Sequence, residues 1–116
     1  MKMFVELNDI YLHTSFVDFR KSINGLLVII ECELKLSPFD DAMFIFCNKK
    51  QDKLKVVYWD KTGFAMWYKV LQKNRFKWHK LNDMSHLRLS EQQLTWLLGG
   101  YDVIGHSTLH YTSMGL

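Results

Sequence analysis

Apolar residues recur at spacings of three and four between Ser15 and Leu34: Phe16, Phe19, Ile23, Leu26, Ile30 and Leu34. That spacing gathers one stripe on a helix, so a helix is expected over Ser15–Leu34. Ser15 with Asp18 three residues on resembles a capping box, and Ser37-Pro38 closes the helical region. Before it, Phe4–Leu12 reads as a strand, broken at Asn8-Asp9. After Pro38 the period changes. "AMFIFCN", "LKVVYWD", "FAMWYKVL" and "RFKWH" are short β-prone runs. The polar stretches "KKQDK", "DKTG" and "QKNR" separate them as turns. A helix over "GFAMWYKVLQK" is the competing reading. The last element is "LSEQQLTWLLGG", a short helix with Ser90 as N-cap, Gln93 at the capping-box position and Gly99-Gly100 as its stop.

These elements predict an α+β domain. An antiparallel meander of about four strands, with a possible N-terminal strand, packs on one long helix, and a short C-terminal helix covers its edge. One domain over 1–104 and a loose tail over 105–116 are expected.

Strand parity then divides the meander. Leu54, Val56 and Tyr58 alternate with Lys53, Lys55, Val57 and Trp59. Phe64, Met66, Tyr68 and Val70 alternate with Ala65, Trp67 and Lys69, and Phe76 and Trp78 with Arg75, Lys77 and His79. Aligning the apolar sets gives one face for the helix. The other face gathers Lys53, Lys55, Lys69, Arg75 and Lys77 around Trp59 and Trp67.

Charge strengthens that division. The net charge is only +3, but residues 49–80 hold ten Lys/Arg against two acids, a balance of +8. The remaining residues hold five basic groups against ten acids, a balance of −5. A chain polarised in this way suits a polyanionic partner, DNA above all. Lysines at the basic face, with Lys49 and Lys50 in the adjoining turn, would hold phosphates, and Trp59 and Trp67 would stack on bases. The alternative for both rings is burial under the last helix or the N-terminal strand, or pairing across strands. Arg20 and Lys21, on the polar side of the first helix, form a secondary basic surface.

Other chemistry finds little support. Asp18, Asp60 and Asp102 are the carboxylates a metal-dependent nuclease would use. Each has a local explanation as a cap, a turn opener or a helix-stop neighbour, so no catalytic role is expected. His106 and His110 have helical ligand spacing without a helix or a third ligand, so no metal or other cofactor is expected. Cys32 and Cys47 lie in apolar runs without a C-x-x-C pair and read as reduced, buried thiols. "MKMFVELNDIYLH" meets Glu6 and Asp9 before any long apolar run. No signal peptide or membrane span is expected, and the expected location is the cytoplasm.

The ordered string from Val17 to Asp102 resembles a known family. Asp18, Arg20 and Lys21 precede Gly25-Leu26. Phe44, Phe46, Asn48 and the basic pair Lys49-Lys50 follow, then Trp59-Asp60 before Gly63, Tyr68-Lys69 with Leu71, and Phe76 with Trp78. This order is similar to that of the TnpB proteins, encoded by the second open reading frame of the insertion-sequence class numbered sixty-six. Lysine stands at 49 and 50 where the family often has arginine, which offers a point charge in place of a bidentate fork. The resemblance implies a non-enzymatic accessory protein that assists DNA transposition alongside a larger transposase and another accessory protein. Docking on either protein, without contact to DNA, is the alternative role.

Overall fold

The computed structural model describes residues 9–73, 75–78 and 84–99. Seven elements follow one another: β1 (Asp9–His13), α1 (Ile23–Cys32), β2 (Ala42–Cys47), β3 (Lys53–Trp59), β4 (Phe64–Val70), β5 (His86–Arg88) and α2 (Glu91–Leu98). The five strands form one sheet in the order β4-β3-β2-β1-β5. β1 runs parallel to β2, and the other pairs are antiparallel. The sheet is therefore mixed, and the expected all-antiparallel meander on one long helix is corrected. A parallel pair needs a crossover. Here residues 14–41, with α1 among them, supply it.

The long helix over Ser15–Leu34 is also corrected. α1 spans ten residues, and its N-cap is Ser22. The segment before it has other uses for its backbone. Val17 N–H donates to the Cys47 carbonyl at 2.9 Å, at the end of β2. The Asp18 carboxylate accepts from Arg20 N–H at 2.9 Å, and Lys21 N–H donates to the Asp18 carbonyl at 3.0 Å. Such side-chain bonds to nearby backbone compete with helix, and here they win the first turns. Phe16 and Phe19 do not share a stripe: Phe16 packs against the cluster that holds α2, and Phe19 against the one that holds α1.

β2 is the central strand, and all six of its residues are buried. A strand covered on both faces reads as a continuous apolar run, which is what "AMFIFC" is. On one face Phe44, Phe46 and Val57 pack with Leu26, Ile29 and Ile30 of α1. On the other, Met43, Ile45, Leu54 and Val56 pack with Leu94 and Leu97 of α2 and with Phe76 and Trp78. The sheet thus separates two apolar clusters.

The fourth expected strand, "RFKWH", forms no ladder over its described residues Arg75–Trp78. Its alternation is real, with Phe76 and Trp78 buried and Arg75 and Lys77 exposed. The segment instead closes the sheet at the β2–β3 turn. Phe76 N–H donates to the Gln51 carbonyl at 2.6 Å, Gln51 Nε2 donates to the Phe76 carbonyl at 2.9 Å, and Trp78 Nε1 donates to the His13 carbonyl at 3.0 Å. The fifth strand is β5, three residues paired with β1. α2 matches the expected last helix in extent and capping, but it packs on the sheet face opposite α1 and not at the edge, because Leu94 and Leu97 reach Met43, Ile45, Leu54 and Val56. Ser90 Oγ accepts from Gln93 N–H at 3.1 Å, and the Gln93 side chain accepts from Ser90 N–H at 2.9 Å. Gly63–Lys73 contains β4 and not a helix. The readings for Phe4–Asn8, His79, Gly100, Asp102, His106, His110 and the 105–116 tail fall outside the described residues. Among the described residues no helix is long and apolar enough to cross a membrane.

Candidate nucleic-acid interface

The β3–β4 register decides which charges share a face. Trp59 pairs with Phe64, Val57 with Met66, Lys55 with Tyr68 and Lys53 with Val70. Directly paired residues point to the same side. Lys53, Lys55 and Trp59 therefore stand with Phe64, Met66, Tyr68 and Val70. Trp67 and Lys69 stand with Val56 and Leu54 on the other side. The parity within each strand holds, but the phase between β3 and β4 differs from the expected one by a single residue. The basic set does not gather on one face.

β4 is an edge strand, and this explains the misalignment. Its more apolar side lies beyond the reach of ten-residue α1, so Met66 is 43% exposed, Tyr68 49% and Val70 37%. Its other side is the covered one. Trp67 is half-buried against the cluster that contains α2. Lys69 Nζ donates to the carbonyl of Leu98, the last residue of α2, at 2.9 Å. A cation at a helix C-terminus meets the negative end of its dipole. Trp59 closes a cluster of three rings, its centroid 4.9 Å from that of Phe64 and 5.0 Å from that of Phe39.

What the fold does bring together is a second combination. An open groove of about 1050 Å³ lies between the segment after β1, the β2–β3 turn and the outer parts of β3 and β4. Lys49, Lys50, Lys53 and Lys55 line it from one side, and Arg20 from the other. The floor is Phe16, Phe19, Met66 and Tyr68, with the Phe19 and Tyr68 ring centroids 6.4 Å apart. Among the described residues, five cations thus face one carboxylate, that of Asp18. The region around Lys49-Lys50 and the secondary basic surface at Arg20 meet here. Lys21 is exposed at the start of α1. A Cβ on Gly25 would stand 3.3 Å from the Lys21 Cβ, so the glycine leaves room for that side chain.

The turn that carries Lys49 and Lys50 is built around Asn48. Its Oδ1 accepts from Asp52 N–H at 3.1 Å and Lys53 N–H at 3.0 Å, while its Nδ2 donates to Asp52 Oδ1 at 2.7 Å. That last bond lowers the pKa of the Asp52 carboxyl. Gln51 takes the left-handed conformation, φ 62°, that closes the turn. Lys49 and Lys50 are left at its exposed tip.

Two groove cations already have partners. Lys55 Nζ donates to the Phe19 carbonyl at 2.9 Å and lies 4.8 Å from the Phe19 ring centroid. Burial lowers its pKa. The Arg20 guanidinium grips Asp18 through Nε at 3.0 and 3.1 Å and Nη2 at 2.6 Å. It brings the Asp18 pKa down to about 2. Arg75 and Lys77 are exposed on the other flank of the β2–β3 turn, outside the groove lining. Asp60 sits in the β3–β4 turn, at the opposite end of β3 from Asp18, about 20 Å away by strand rise. The thiols divide as well: Cys47 is buried as expected, but Cys32 is exposed.

A mixed sheet with an open, basic, ring-floored groove at one end defines a small sheet-based domain with one polarised surface. Its sequence matches the IS66 Orf2 like protein family over residues 8–107. The chain belongs to this family of accessory proteins of IS66 insertion sequences. It is similar to the uncharacterized protein y4jC of Sinorhizobium fredii, 32% identical over 89 residues that cover 77% of this chain and 75% of that protein. It is also similar to the uncharacterized protein y4hO of the same organism, 30% identical over 93 residues that cover 80% of each. No solved structure matches the chain.

The family motif now has a physical account. Phe44 and Phe46 anchor β2 beneath α1, Asn48 shapes the turn, and Lys49-Lys50 project from it. The sequence pattern singled out these residues, but not the groove. Its floor escapes the sequence reading because the parity split places Met66 and Tyr68 on the covered side of β4.

Proposed function

We propose that this protein is a non-catalytic, cytoplasmic accessory factor that assists transposition of its element by binding DNA in the groove between Arg20 and the β2–β3 turn. One observation carries the reading: among the described residues, five cations face a single carboxylate along an open groove, and that carboxylate is held by Arg20. Lys49, Lys50 and Lys53 make the main phosphate contacts, and Arg20 flanks them. Lys55, Lys69, Trp59 and Trp67 serve the fold first, through the contacts that already occupy them. Affinity is then mostly electrostatic and depends weakly on sequence.

Fluorescence anisotropy with the element's terminal inverted repeat and a shuffled duplex, across a salt series, tests this. Neutralising about three to four phosphates gives a slope of about −3 to −4 for log affinity against log salt. Lys50→Glu should weaken binding and flatten the slope. Lys61→Glu, an equal charge change in the β3–β4 turn at the far end of the sheet, should do much less. No binding of any DNA at low salt, duplex or single strand, or equal losses from both changes, would sink the reading.

A second role, docking on the transposase or the other accessory protein, rests on a separate feature. β4 ends the sheet order, with Val70 37% exposed along it. An unpaired edge is a template for another strand. Val70→Lys should then abolish capture of the transposase, while the added charge opposite Lys53 leaves duplex binding equal or tighter.

A further inference from the structure

The groove offers more than charge, and its shape and rings bear on which form of DNA it holds. We infer that the ligand of this groove is single-stranded DNA, with a base stacked on Tyr68 and the flanking phosphates on Lys49, Lys50 and Lys53. The inference rests on the reading of the groove as a DNA site and narrows it.

Three observations carry it. The site is concave, whereas the elements that read a duplex are convex helices or ribbons that enter its grooves. Tyr68 is 49% exposed on the surface of a sheet, and Met66 beside it is 43% exposed. Bases within a duplex stack on each other and offer no face to such a ring, but an unpaired strand does. Finally, ring and charge are in register. Lys55 stands directly opposite Tyr68 on β3, and Lys53 lies two residues along the same face, toward the turn that carries Lys49 and Lys50. A strand whose base lies on Tyr68 therefore runs its backbone past the lysines. A basic track beside an exposed ring is the usual arrangement for binding single strands.

Phe19 supports the platform from the side. Its centroid lies 6.4 Å from that of Tyr68, and the Lys55 ammonium holds it in place. Lys55 thus contributes to the site by positioning a ring, and the outer lysines supply the phosphate contacts.

The test compares a fluorescent 12-nucleotide oligo-dT, a duplex of equal length and the ribo-oligonucleotide counterpart, each at low salt. The intact protein should bind the single DNA strand more tightly than the duplex. Tyr68→Ala should cost the single strand about tenfold and leave the duplex nearly unchanged, because one stack is lost. Tyr68→Phe, which keeps the ring, should retain affinity, and Lys50→Glu should weaken both ligands. Duplex binding as tight as single-strand binding, still sensitive to Lys50→Glu, would overturn this inference and leave the groove as a DNA site. An unchanged single-strand affinity in Tyr68→Ala, or tighter binding of the RNA strand, would overturn it too. If neither DNA binds, the reading of the groove falls with it.

Discussion

Lys55 holds Phe19: its ammonium donates to the Phe19 carbonyl at 2.9 Å and lies 4.8 Å from the centre of the Phe19 ring. The same ammonium reaches the Lys21 carbonyl at 3.4 Å. One side chain on β3 therefore fixes the segment that leads into α1, and with it one wall of the groove. Lys55→Met keeps most of the aliphatic stem and removes the donor. It should lower stability by about 1–2 kcal/mol, from a charge-assisted hydrogen bond and a cation–π contact. A urea titration of both proteins checks this, and an unchanged midpoint would mean that the contact contributes nothing.

Lys69 has the same kind of task on the other side of the sheet. Its bond to the Leu98 carbonyl ties β4 to the end of α2. Lys69→Met should cost about 1 kcal/mol of stability and speed amide exchange in α2, while the salt slope of DNA binding stays the same. A flattened slope in this variant would place Lys69 at the DNA surface after all.

These two lysines show what could be read from the sequence. The basic window and the parity within each strand were legible, because side chains alternate strictly along a pleat. The relative phase of β3 and β4 was not. Phe64, Met66, Tyr68 and Val70 form the more apolar side of β4, yet they lie on its exposed side, because an edge strand need not bury both its faces. The parallel pairing of β1 with β2 was equally hidden, since it joins residues separated by a whole crossover. The capping box of α2 was legible because its signal is local. Ser15 and Asp18 carried a similar signal, but Asp18 uses its carboxylate to hold Arg20 and its backbone.

The Asp18–Arg20 pair makes a pH prediction. Arg20, by its hydrogen bonds and then its charge, brings the Asp18 carboxyl from 3.8 down to about 2. The folded value lies below the unfolded one, so the pair stabilises the fold above about pH 4. That contribution is lost as pH falls through 2. Carboxyl carbon NMR should find the Asp18 midpoint near 2. Arg20→Gln should return it toward 3.8, and an ordinary midpoint in the intact protein would refute the pairing in solution.

The two thiols should differ in reactivity. Burial, with a smaller effect of the Asp52 charge, pushes the Cys47 thiol up to about 12. Cys32 is exposed on α1. The thiolate is the reactive form. A chromogenic disulfide reagent at pH 8 should therefore modify one thiol per folded chain and the second only in denaturant. Loss of the first reaction in Cys32→Ser would confirm its identity. Two equally fast thiols in the native protein would contradict the buried position of Cys47.

The phase of β4 itself can be measured, and the single-strand proposal depends on it. With Trp67 opposite Val56, the indole protons should show nuclear Overhauser contacts to the Val56 methyl groups, on the side covered by α2. Tyr68 ring protons should show contacts to the methylenes of Lys55 and to the Phe19 ring. A one-residue slip reverses every assignment at once, since it carries each side chain to the other face. Contacts from Trp67 to Lys55 or Val57 would restore a basic face with tryptophan at its centre. They would also remove Tyr68 from the groove floor, and with it the platform on which an unpaired base would stack.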